Sequence, residues 1–139
     1  MKLRYIALAL GLALASIANA QEMPVAHRSV PRDIETRVTT ASMWQIKGGN
    51  GRCQSRGTPA LEIISAPSHG TVRFVQGDVG IPEGSGCSNS IYGVVVLYQP
   101  APGFVGTDQF TYHRLRDPMA MNWVGSVPPG LRKIVVTVQ

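Results

Sequence analysis

Apolar and polar residues alternate over short spans along most of the chain. Val72 and Phe74 fall on one side of their segment, with Thr71 and Arg73 opposite. Phe110 and Tyr112 alternate with Gln109, Thr111 and His113, and Ile134, Val136 and Val138 repeat the pattern near the end. A period of two, bounded by Gly and Pro, marks half-buried strands. Strands are predicted over residues 35–40, 43–47, 60–65, 71–75, 92–99, 108–115 and 132–138. Val94, Val95, Val96 and Leu97 form a continuous apolar run, which predicts a central strand covered on both faces. After residue 20 no helical period emerges. The expectation is an all-β chain folded as an antiparallel β-sandwich of about seven strands. Three stretches without periodicity read as connections. Residues 21–33 are an extended N-terminal arm, and residues 48–58 and 77–90 are glycine-rich loops.

The first twenty residues follow another logic. Lys2 and Arg4 precede an apolar run from Ile6 to Ile17, and Ala18-Asn19-Ala20 supplies small residues at a cleavage position. The run is about twelve residues, short of the ~20 that span a bilayer. The expectation is a signal peptide over residues 1–20 and a product that does not span a membrane, placed in the periplasm or outside the cell. Of the 139 residues, 119 then remain, a size that suits one domain over residues 34–139 behind the arm. Lys2 and Arg4 leave with the signal, taking the formal net charge from +5 to +3. The other basic residues are scattered, with no stripe of the kind nucleic acids require. Cys53 and Cys87 are the two cysteines, and an oxidising compartment predicts a disulfide between them. The redox spacing C-x-x-C is absent.

Three segments carry a family resemblance. The first is Ala66-Pro67-Ser68-His69-Gly70-Thr71-Val72. The second runs from Tyr98-Gln99-Pro100 through Gly103-Phe104-Val105-Gly106-Thr107-Asp108 to Phe110-Thr111-Tyr112. The third is Ile134-Val135-Val136-Thr137-Val138. In order and spacing they resemble the bacterial Ig-like and cadherin-like tandem-repeat domains of surface proteins, here as a single copy. The resemblance covers about 80 residues and implies an Ig-like fold. Within it, Gly70 reads as a turn residue needing positive φ, Gly103 and Gly106 let the chain reverse, and Asp108 accepts backbone N–H bonds in a turn. Residues 77–90 and 117–130 are longer than the connections usual in that family.

Candidate chemistry is sparse. His27, His69 and His113 show no metal-ligand spacing, and the acids form no cluster suited to calcium. No nucleophile elbow or phosphate loop occurs. No metal and no cofactor is therefore expected, and the chain reads as a non-catalytic module that binds a protein or envelope component. Residues 117–130 are the candidate interaction loop, because Met119, Met121, Trp123 and Val124 concentrate apolar and aromatic surface there. The competing reading makes Trp123 a cap on the core. The alternative function is a small secreted enzyme or metal-handling protein that uses His113, Asp108 and the Met-containing loop.

Overall fold

The structure, a computed structural model, describes residues 22–47, 51–80, 86–87, 90–115 and 130–139. Among these the chain is all-β. Its strands are β1 (Val25–Val30), β2 (Thr36–Ala41), β3 (Trp44–Lys47), β4 (Arg52–Ser55), β5 (Leu61–Ser65), β6 (Gly70–Val79), β7 (Ile91–Pro100), β8 (Gly106–Arg114) and β9 (Gly130–Val138). They form a four-stranded sheet in the order β1-β9-β8-β5, a three-stranded sheet β2-β7-β6, and the hairpin β3-β4. Among the described residues no helix is long and apolar enough to cross a membrane.

All seven predicted strands are present, and among the described residues the strand count is corrected to nine. β1 lies within the segment expected as an arm, and β4 within an expected loop. Neither shows a clear alternation, because each is held by its neighbour's backbone. β1 runs parallel to β9 from Val25 beside Lys133 to Val30 beside Val138. The ladder continues past both ends, where the Lys133 N–H donates to the Pro24 carbonyl and the Gln139 N–H to the Val30 carbonyl. The sheet is therefore not wholly antiparallel, as the pattern alone had suggested. β6 also runs to Val79, so the connection after it is shorter than residues 77–90.

The two larger sheets share one core. Val30, Phe110, Tyr112, Ile134, Val136 and Val138 come from the four-stranded sheet, and Val38, Val96 and Tyr98 from the three-stranded one. Each such side chain contributes about 1.5–3 kcal/mol on leaving water. In β7 the even positions Val94, Val96 and Tyr98 face this core. On the other face, Ile91 and Val95 join a second cluster with Val79, Trp44, Cys53 and Cys87. The β3-β4 hairpin thus covers the outer face of the three-stranded sheet, which accounts for the unbroken apolar run in β7. The chain reaches that face by crossing over Gly93, where a Cβ would lie 2.7 Å from the Ala41 carbonyl oxygen.

Candidate functional site

The candidate site is built around Asp108, near the start of β8. Strand alternation places its side chain on the inner face, and only 4 % of the residue is exposed. A carboxylate so placed must be satisfied by donors, or its burial costs several kcal/mol. Four donors reach it. Oδ1 accepts the Ser68 N–H at 3.0 Å and the Gln109 N–H at 2.9 Å; Oδ2 accepts the His69 N–H and the Tyr98 hydroxyl, both at 2.9 Å. Burial pushes the carboxyl toward its neutral form, but the backbone N–H groups of His69, Ser68 and Gln109, with the Tyr98 hydroxyl, hold it below the ordinary Asp range. The Tyr98 hydroxyl is raised, first by burial and then by the carboxylate beside it.

Gly70 makes this arrangement possible for a reason other than the one expected. It is not among the described glycines with positive φ. A Cβ there would instead lie 2.6 Å from the Gln99 carbonyl oxygen and 2.7 Å from the Tyr98 ring. The glycine makes room for the tyrosine that bonds Asp108. Gly103 and Gly106 do adopt positive φ and turn the chain between β7 and β8. Asp33, itself at φ 63°, accepts the Gly103 N–H at 2.6 Å, and the His69 and Phe104 rings stack with centroids 4.4 Å apart. The three family-like segments therefore meet as a structural latch at one end of the sheets.

The disulfide joins Cys53 of β4 to Cys87, with Cα atoms 5.4 Å apart. It fastens the covering hairpin to the segment after β6. The hairpin base is closed by the Arg56 N–H on the Met43 carbonyl, and the Ser55 hydroxyl donates to the Tyr92 carbonyl of β7.

The candidate interaction residues Met119, Met121, Trp123 and Val124 lie outside the described residues. Their segment leaves β8 after Leu115 and rejoins at Gly130, which pairs with Arg114. That is the end of the sheet away from the latch. His113 and Asp108 are not brought together. They stand five positions apart on β8, an odd offset, so they project from opposite faces of the strand. Among the described residues no group of three or more His, Cys, Asp or Glu could hold a metal ion. A groove of about 310 Å³ runs between β5 and β6, lined by Leu61, Phe74, Gln76, Val94 and the residues 58–60 turn. Its lining is uncharged.

Along the sequence the arginines look scattered. Arg28, Arg114 and Arg132 in fact share the inner face of the four-stranded sheet. The alternation of β8 carries the signal, since Arg114 continues the buried series Asp108, Phe110, Tyr112.

Comparison with protein-family models, with curated proteins and with solved structures returns no match.

Proposed function

We propose that this chain is an exported, non-catalytic Ig-like β-sandwich module that binds a protein or a component of the cell envelope. The observation that carries this reading is the Asp108 latch. The polar residue of the family-like motif spends both carboxylate oxygens on backbone and tyrosine donors, which makes the motif a device for holding a scaffold. Two sheets facing one core, with strand orders β1-β9-β8-β5 and β2-β7-β6, suit the Ig-like arrangement. The Cys53–Cys87 bond suits an oxidising compartment, periplasmic or extracellular.

Residues specific to a partner then belong at the end away from the latch, on the connection that carries Met119, Met121, Trp123 and Val124. Loops on a rigid scaffold are where binding surfaces usually sit. The test compares wild type with Trp123→Ala in capture from a cross-linked envelope fraction, alongside thermal melting. The expected result is loss of capture with the melting curve nearly unchanged. A folded variant that captures as well as wild type removes Trp123 from the surface. A fall in stability of about 3 kcal/mol or more would instead make it a core cap.

A further inference from the structure

The two larger sheets have four edges, β1 and β5 in one and β2 and β6 in the other. A strand edge presents unpaired N–H and carbonyl groups, and short length, Pro, bulges and charged side chains keep it from pairing with another chain. Three of these edges carry such devices. β1 has six residues, lies between Pro24 and Pro31 and bears Arg28. β2 shifts register between Arg37 and Thr39, and its Val38 carbonyl accepts Arg28 Nε at 2.7 Å. β5 has five residues, is flanked by Pro59 and Pro67, and shifts register between Ile63 and Ser65.

β6 differs from all three. It runs for ten residues without Pro or Lys, and its pairing with β7 is unbroken from Gly70 to Val79. Its one cation, Arg73, is turned back across β7, where Nε donates to Glu35 at 2.6 Å. The direction of the β6 backbone groups follows from the ladder. The Ala101 N–H donates to the His69 carbonyl, so in the same register the odd-numbered residues of β6 bond β7. The N–H and carbonyl groups of Val72, Phe74 and Gln76 then point away from the sheet. They have no hydrogen-bond partner among the described residues.

This edge is complementary to itself. Two copies of β6 laid antiparallel about a two-fold axis at Val75 set Phe74 of one opposite Gln76 of the other, with the backbone groups of both aimed across the gap. Val75 meets its own copy in a closely spaced pair, where β-branched side chains pack well. Arg73 falls opposite Gly77, where a Cβ would meet nothing within 4 Å, so the arginine stem has room. Asp78 falls opposite Val72, and no like charges face each other. Phe74 of the copy comes beside Gln76, on the rim of the groove between β5 and β6.

We propose that the β6 edge pairs with the β6 edge of a second copy of this chain, antiparallel about Val75. The pairing joins two three-stranded sheets into a continuous sheet of six. Arg28 closes the β1-β2 flank of the sandwich, and the β6 flank is left for the second copy. The contact makes no use of the connection bearing Trp123.

The test is analytical sedimentation of the purified protein over a concentration series up to about 1 mM, which reveals association at any dissociation constant of that order or tighter. Wild type should pass from monomer to dimer. Gln76→Pro removes one outward N–H from each copy and leaves the β6-β7 ladder whole, so it should fold and raise the dissociation constant about tenfold or more. Should it fail to fold, Gln76→Lys sets a charge at the same edge and should weaken the dimer likewise. Val75→Cys should form an intermolecular disulfide under mild oxidation. Arg73→Cys, which lies opposite Gly77 of the copy, should not. A protein that stays monomeric throughout overturns the proposal and leaves the edge to a strand of another protein. A dimer left intact by a folded Gln76 variant, or one cross-linked through Arg73→Cys and not through Val75→Cys, overturns it as well.

Discussion

Replacing Asp108 by asparagine probes the latch with almost no change in shape. The side-chain amide keeps one acceptor oxygen. If it takes the place of Oδ1, it can still receive the Ser68 and Gln109 N–H groups. The amide nitrogen then faces two donors. The Tyr98 hydroxyl can turn toward the His69 carbonyl, 3.4 Å away, but the His69 N–H loses its acceptor. A stranded donor costs about 1–3 kcal/mol, and the two surviving bonds drop from charge-assisted to neutral strength. The sum is about 3 kcal/mol, or roughly 12 °C in Tm for a domain of this size. Urea unfolding at pH 7 measures the first figure. Its pH dependence gives an independent check. The Asp108 pKa is lower in the folded state, so the stabilisation is fully present above the unfolded Asp value of about 3.9. It is lost as pH falls through the lower folded value. The gap between wild type and Asp108→Asn should therefore be widest at neutral pH and close in acid. A loss under 1 kcal/mol at pH 7, or a gap that does not shrink in acid, refutes the latch.

Gly70→Ala should destabilise by about 2–4 kcal/mol, because its Cβ meets a strand carbonyl that cannot give way; thermal melting checks it. Combined with Asp108→Asn, the two losses should fall short of additive, since both act through Tyr98. Cys87→Ser should cost roughly 3–4 kcal/mol by chain entropy for a separation of 34 residues. Hydrogen exchange should then speed up first in the amides of β3 and β4, and equal exchange in variant and wild type would count against the hairpin being held by the bond.

The alternating segments in β6, β8 and β9 were legible because each buries one face in the core, and β7 because it is covered on both faces. β1 and β4 were not. In β1 the sequence Val-Ala-His-Arg-Ser-Val buries Val30 fully, and its position is set by backbone pairing with a strand more than 100 residues away. Asp108 could be read as a backbone acceptor from its place at a strand start, but its fourth donor, Tyr98, comes from the opposite sheet. Gly70 was read through local φ preference, whereas its real constraint is a ring from the neighbouring strand. The inward-facing arginines had a usable signal in strand parity. It was missed because charge was weighed as a surface property, without asking which face each arginine takes.

The parallel pairing of β1 with β9 also determines how the molecule answers to tension. The chain enters β1 beside Lys133 and leaves β9 beside Val30. Pulling on the two outer ends therefore drags these strands past each other along their length, with the force at right angles to the hydrogen bonds. All six paired positions are loaded together and must give way together, where a hairpin peeled from its open end would surrender them one at a time. A fold joined in this way resists stretching far better than its thermodynamic stability alone would suggest, and it does so along the axis that links whatever is attached before β1 to whatever follows β9.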